Sequence, residues 1–121
     1  QVAELKAFGA DYALLQNGFA QGLMHKYAKK VNVLTTLTQE YPYSDYTDDA
    51  FYEIARAELQ QEHNEEAIEA YQALLKNYPN SNYAAKASLE MGMTYRIQKQ
   101  YKQAIQAYKN TINHVAGSEE A

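Results

Sequence analysis

The sequence predicts an all-α protein, a solenoid of about three stacked antiparallel helix pairs, and two observations support this prediction. Residues 41–46, with the sequence YPYSDY, return after 37 residues as residues 78–83, with the sequence YPNSNY. When residues 41–77 are aligned with residues 78–114 without a gap, they share 11 identities. A repeat of between about 20 and 50 residues is typical of solenoids, in which each unit buries its apolar face by stacking on its neighbours.

The recurring linker predicts where one helix ends and the next begins. Proline lacks the N–H that would continue a helix and moves the preceding residue out of the α region, so helices should end at Tyr41 and Tyr78. Ser44 and Ser81 are expected to cap the following helices by accepting hydrogen bonds from unpaired N–H groups.

The first unit is a degenerate copy of the later ones, with helices expected at about 9–23 and 27–40. Residues 1–8 do not match the linker, and the sequence leaves open whether they end a preceding helix or begin the first one. Sparse identities with the third unit occur at a spacing of 74 positions, and they include Ala13, Gly18 and Tyr27.

The second helix of each later unit carries an apolar stripe at the spacing of an amphipathic helix. The helix before the first stripe, residues 51–59, is apolar on several sides and should be covered on more than one face. Polar turns are expected at residues 61–64 and 98–100, with Asn64 as an N-cap. The two stripes are Ala67, Ile68, Tyr71, Leu74, Leu75 and Tyr78, and then Ala104, Ile105, Tyr108, Thr111, Ile112 and Val115.

Residues 117–121, with the sequence GSEEA, are interpreted as a third linker that opens a further helix, because Ser118 follows Ser81 by 37 residues. We therefore expect residues 1–121 to be one array within a longer protein. Its repeats should lie at about 9–45, 46–82 and 83–121.

Composition and charge set the class of protein. The chain has 46% apolar and 21% charged residues, no cysteine and a net charge of −4, which disfavours a general nucleic-acid binder. No apolar run is long enough for a membrane span, and the first residues do not resemble a signal peptide.

The charges are distributed unevenly between the repeats. Residues 41–77 carry a net charge of −7 and residues 78–114 a net charge of +4. These patches are either solvated helix faces or surfaces that orient a partner.

The pattern of small and aromatic residues resembles the tetratricopeptide repeat family, whose usual unit has 34 residues. The match comprises Gly92, Tyr95, Ala104 and Tyr108 in the third unit and Ala55, Ala67, Tyr71 and Pro79 in the second. The first unit keeps Gly18, Tyr27 and Pro42 but has Lys30 where the family has a small residue. The resemblance implies a right-handed α-solenoid that acts as a protein-binding scaffold without catalytic activity.

Each linker has three extra residues between the proline and the next helix, which lengthens the repeat from 34 to 37 residues. This longer linker is similar to that of tetratricopeptide proteins of the bacterial cell envelope. This resemblance implies a location in the bacterial periplasm or cell envelope. It leaves the partner, a protein or peptide, unidentified.

The resemblance also implies a concave groove lined by the first helix of each pair. The residues expected to bind a partner there are Tyr12, Leu15, Phe19, Tyr52, Arg56, Leu89, Met93 and Arg96. Further positions implied to line the groove are Gly22, Leu23, Asp49, Leu59, Gln60, Lys86 and Ile97. The lysine and asparagine with which some members hold a peptide's carboxyl terminus are replaced here by Leu15 and Phe19. Further repeats or a second copy of the chain, through self-association, are alternative coverings for this surface.

No motif in the sequence indicates catalysis, a cofactor or a metal. The three histidines have no histidine three or four residues away, and the acidic residues 45–49 lack the glycine and closing glutamate of a calcium loop. No glycine-rich phosphate loop or nucleophile elbow is present. A helical-repeat RNA-binding module is the alternative function, although it would normally need a basic groove.

Overall fold

The computed structural model describes residues 9–120, which form six α-helices and no β-strand. Consecutive helices pack against each other, so the helix pairs stack in chain order. The predicted all-α solenoid is confirmed. The helices are α1 (Ala10–Leu23), α2 (Tyr27–Glu40), α3 (Thr47–Gln60), α4 (Asn64–Asn77), α5 (Ala84–Ile97) and α6 (Tyr101–Glu120). Residues 1–8, whose role the sequence left open, lie outside the described residues.

The two prolines end helices as predicted. Helix α2 ends at Glu40 and α4 at Asn77, and the next residues, Tyr41 and Tyr78, leave the helical conformation with φ of −130° and −135°. The second linker also contacts the first, because the Tyr78 hydroxyl donates a 2.9 Å hydrogen bond to the Pro42 carbonyl.

The linker serines do not cap the following helices, which corrects that prediction. Each serine Oγ accepts a hydrogen bond from the N–H two residues later, at Tyr46 or Tyr83, one residue before the helix begins. Each hydroxyl also donates to an aspartate in the first helix of the preceding pair. These bonds, from Ser44 to Asp11 and from Ser81 to Asp48, connect successive helix pairs.

The turn within each pair follows one repeated conformation. His25, Glu62 and Lys99, which are spaced by 37 residues, have positive φ of 60°, 62° and 64°. Each N–H bonds back to a carbonyl three residues earlier, as in left-handed helix endings. Helix α4 then begins at Asn64 itself, and His63 occupies the cap position without a side-chain cap bond, so the predicted Asn64 cap is wrong.

Small residues permit the close packing within each pair. A Cβ added at Gly92 would lie 2.7 Å from Cε1 of Tyr108, and one added at Gly18 would fall on the Leu34 side chain. Ala55 and Ala67 are fully buried in the middle pair. The core runs through all three pairs, with Leu34, Leu37, Tyr71 and Leu74 as its large, fully buried side chains.

Helix α6 differs from its expected form in two ways. It continues through residues 117–120, where a linker was predicted, because no proline follows its apolar stripe as Pro79 follows that of α4. Part of the stripe itself is exposed, since no described helix packs on its outer side: Ile105 is 54% exposed and Ile112 66%. Among the described helices, none has the length and hydropathy needed to cross a membrane.

Candidate protein-binding groove

A concave depression of about 570 Å³ lies between α3 and α5. Leu89 and Met93, one helical turn apart on α5, are 42% and 43% exposed although they are apolar. Ile97 extends this row by a further turn, because residues four apart lie on one helix face. The depression is lined by Arg56, Leu59, Glu62, Asn64, Leu89, Glu90, Met93, Thr94 and Ile97.

A second depression, of about 400 Å³, lies between α1 and α3. Its apolar side is formed mainly by Phe19 and Leu23, and its polar side by Lys30, Glu53 and Arg56. Arg56 lines both depressions, so they are neighbours along the first helices of the three pairs.

The structure brings together four of the residues expected to bind a partner. Arg56, Leu89 and Met93 line the larger depression and Phe19 lines the smaller one. Arg96 is exposed on α5 but lines neither. Tyr12 is 50% exposed and also lies outside both, with its ring 5.3 Å from that of Tyr46.

Tyr52 and Leu15 are buried, which corrects their place in the predicted groove: they are only 3% and 5% exposed. The Tyr52 ring stacks on that of Tyr83 at 4.9 Å, and its hydroxyl donates a hydrogen bond to Glu90. Tyr52 therefore belongs to the packing between the second and third pairs and offers no surface to a ligand.

Glu90 joins the second pair to the third below the larger depression. Its carboxylate accepts hydrogen bonds from Tyr52 and from Tyr71, the latter at 2.7 Å. The pKa of both tyrosines is raised, first by burial and then by the hydrogen bond to Glu90, because both effects favour the neutral hydroxyl over the charged phenolate. The pKa of Tyr83 is raised to about 12, first by its hydrogen bond to Asp49 and then by burial.

Lys30 is the charged residue that stands where the family has a small one, and the chain accommodates it by two features. Its stem passes Gly22, where an added Cβ would lie 3.0 Å from the Lys30 Cδ. Its ammonium lies 2.8 Å from Glu53 Oε1 and 5.9 Å from the centre of the Phe19 ring. Since both charged side chains are largely buried, each depends on the other for its partner.

Arg56 is the cation best placed to meet a ligand. Its side chain is 55% exposed, and its Nη1 lies 4.0 Å from Glu53 Oε2, too far for a strong hydrogen bond. Its guanidinium lies 5.8 Å from the centre of the Tyr52 ring, which holds it over the border of the two depressions. A guanidinium with unused donors can bind a carboxylate in a bidentate manner.

The described residues 9–120 contain no group of three or more histidine and acidic side chains arranged to hold a metal. His63 Nδ1 lies 3.0 Å from Glu58 Oε1, and His25 Nδ1 lies 2.9 Å from the Tyr27 hydroxyl. Each of these two histidines thus has a side-chain partner close to it in the sequence, at the turn between the two helices of its pair.

Sequence reasoning missed the roles of Lys30, Glu53 and Glu90. A signal for the two glutamates was present, because they align at the 37-residue spacing within otherwise apolar helix faces. A charged residue that recurs on a buried face indicates a polar partner on the neighbouring helix.

The stacked helix pairs and their concave face define a helical-repeat protein. The chain belongs to the tetratricopeptide repeat family, whose family model matches residues 52–112. This confirms the resemblance seen in the sequence, and the family is one of protein-interaction modules that are generally non-catalytic.

Two solved structures of MamA are similar to this chain. The first has a TM-score of 0.75 and 22% sequence identity, and the alignment covers 95% of this chain and 64% of the MamA chain. The second has a TM-score of 0.73 and 21% sequence identity, and the alignment covers 88% of this chain and 55% of the MamA chain. The chain thus spans less than two thirds of each MamA chain, and the similarity supports the fold. A search of curated proteins gave no match.

Proposed function

We propose that this chain is a non-catalytic scaffold that binds a segment of another protein in the groove between α3 and α5. The observation that supports this most strongly is the row of exposed apolar side chains, Leu89, Met93 and Ile97, beside a cation, Arg56. Apolar side chains that line a concavity on a soluble protein favour an apolar ligand.

The ligand should carry apolar anchors and at least one acidic side chain. Leu89 and Met93 would receive the anchors, and Arg56 would bind the carboxylate. A methionine suits such a surface because its unbranched side chain adapts to anchors of different shape. Affinity for an isolated segment should be modest, on the order of micromolar, since the segment must be ordered on binding.

RNA fits this groove less well. The larger depression includes the acids Glu62 and Glu90, and none of the described residues that line it is aromatic and able to stack on a base. RNA binding that is tight and weakens steeply with salt would favour the alternative function.

The absence of cysteine allows a direct test by single-site crosslinking. Met93→Cys, labelled with a photoreactive group, places the crosslinker in the larger depression. Glu69→Cys is the matched control, because Glu69 is exposed on α4 outside both depressions. We expect partner proteins to be captured from position 93 and not from position 69.

Capture mainly from position 69 would contradict the proposal and would place binding on the acidic outer face of residues 62–69. A second variant, Leu89→Ala, keeps the crosslinker at position 93 but removes an anchor site. It should reduce capture if the apolar row is the binding surface.

A location in the bacterial cell envelope is part of the proposal and is supported by the form of the linker alone. Fractionation of cells that express the full reading frame tests it. Recovery in the cytoplasmic fraction would contradict it.

A further inference from the structure

Helix α6 presents an apolar stripe that no described helix covers. Tyr101, Ile105, Ile112 and Val115 are 58%, 54%, 66% and 46% exposed. Their spacings of four, seven and three residues place them on one side of the helix. Soluble proteins rarely leave such a continuous apolar row exposed unless it is an interaction surface.

The chain itself shows what kind of helix covers this stripe. The equivalent stripe of α4, 37 residues earlier, packs against α5, and Ile68 is only 7% exposed there. The Tyr71 hydroxyl of α4 donates to Glu90 of α5 across this interface. Tyr108 occupies the place of Tyr71 on α6.

The helices that cover α2 and α4 share one pattern, which is a small residue, a glutamate three residues later and another small residue four residues after that. In α3 these are Ala50, Glu53 and Ala57, and in α5 they are Ala87, Glu90 and Thr94. The four small residues of this pattern are all buried. This pattern describes the face that fits an α6-type stripe.

Helix α1 carries a related pattern on a face that is exposed, with glutamine in the place of the glutamate. Ala13, Gln16 and Ala20 stand in the register of Ala50, Glu53 and Ala57, and all three are exposed. The Gln16 side-chain oxygen can accept a hydrogen bond from a tyrosine hydroxyl, as Glu90 does from Tyr71. Residues 101–117 of α6 carry two lysines and no acid, whereas α1 carries only Asp11, so the two faces do not repel each other.

We propose that α6 of one molecule packs on α1 of a second copy and thereby repeats the interface that joins the pairs within the chain. Tyr108 of one copy would donate to Gln16 of the next. This contact is heterologous and leaves one face free at each end, so it produces open chains of molecules and not a closed dimer. It is independent of the groove and of any ligand there.

The contact should be weak, because α1 has the polar, exposed Asn17 where α3 has Ile54 and α5 has Met91, which are buried apolar residues of the core. We expect the mean mass in sedimentation equilibrium to rise above 13.8 kDa as the 121-residue chain is concentrated to about 0.1–1 mM.

Two variants with opposite defects test the geometry. Ile112→Glu blocks the α6 face and Ala13→Lys blocks the α1 face, and both sites are exposed, so unchanged helix content and melting temperature verify the fold. Each variant alone should associate at least about tenfold more weakly than the parent. An equimolar mixture should form a one-to-one pair and nothing larger, since only one complementary pair of faces remains.

Dimers of Ala13→Lys alone would overturn the proposal, because they would show that two α6 faces pack on each other. A parent chain that stays monomeric throughout this range would overturn it as well. So would a mixture that behaves as the sum of its two components.

Discussion

Gly92 lies on the side of α5 that packs against Tyr108 and Ala107 of α6, and its place shows how single residues set the packing of a pair. The Tyr108 ring fills the space that a side chain on Gly92 would occupy. Gly117 is also helical, but nothing lies within 4 Å of an added Cβ there. Substitution of the two glycines by alanine therefore distinguishes the effect of packing on stability from the effect of helix propensity.

Gly92→Ala should lower the free energy of unfolding by roughly 1–2 kcal/mol, because overpacking exceeds the gain in helix propensity. Gly117→Ala should raise it by up to about 1 kcal/mol, because only the propensity changes. Urea denaturation of both variants measures this difference. Equal effects at the two sites would mean that Tyr108 does not pack on Gly92.

Tyr71 and Glu90 give the interface between the second and third pairs a dependence on alkaline pH. The pKa of Tyr71 is raised above its ordinary value of 10.0 by burial and by Glu90, so the folded state holds the proton more tightly than the unfolded state. Stability from this group is complete below about pH 10 and is lost as the pH rises further toward the folded-state pKa.

Tyr71→Phe should therefore flatten the fall in melting temperature between about pH 9 and pH 11, while lowering stability at pH 7 by about 1–3 kcal/mol. Tyr43→Phe is the control, since Tyr43 is 97% exposed and outside the network. It should leave both the stability and the pH profile of the parent unchanged. An alkaline profile in Tyr71→Phe identical to that of the parent would contradict this account.

At the scale of single residues, the sequence predicted packing better than exposure. Gly92 does lie at a close helix contact and Ala67 is fully buried, because a repeated small residue has a simple steric cause. Tyr52 was expected in the groove and is buried. Its surroundings depend on Tyr83 and Glu90 of the next pair, which a one-helix pattern does not include.

At the scale of helices, the endings before Pro42 and Pro79 were predictable, because proline acts on its immediate neighbours. The serine contacts were not, since Ser44 and Ser81 bond to aspartates 33 residues earlier in the chain. The linker predicted at residues 117–121 was also wrong, because Ser118 matches Ser81 but no proline precedes it to end the helix.

The left-handed residues between the paired helices carry local strain without glycine. Lys99 has φ of 64° and is exposed, a conformation that glycine adopts at no steric cost. Lys99→Gly should therefore stabilise the chain by about 0.5–1 kcal/mol.

Lys109→Gly is the matched control, because it replaces the same exposed residue type within α6. It should destabilise the chain by about 1 kcal/mol through lost helix propensity. Thermal melting monitored by circular dichroism measures both changes. A loss of stability in both variants would indicate that the lysine conformation at position 99 carries no strain.

At the scale of the whole molecule, the stack of pairs turns single-helix patterns into surfaces. Leu89 and Met93 are apolar positions of α5 that the packing leaves uncovered, and Arg56 reaches their depression from α3. The family pattern predicted these three residues as groove positions. It could not predict that Lys30 and Glu53 would form an ion pair, because that contact joins α2 to α3 and Lys30 stands where the family pattern has a small residue.

The binding of an acidic, apolar segment in this groove is tested most directly by a thermodynamic cycle on the affinity of the captured segment. Calorimetric titration would compare the parent with Arg56→Ala, each against the segment with and without its acidic side chain. We expect each single change to weaken binding by about tenfold and the double change to weaken it by little more, because both remove one charge pair. Leu89→Ala with Met93→Ala should cost at least as much through lost apolar contact. Unchanged affinity in all of these variants would contradict binding in the groove between α3 and α5.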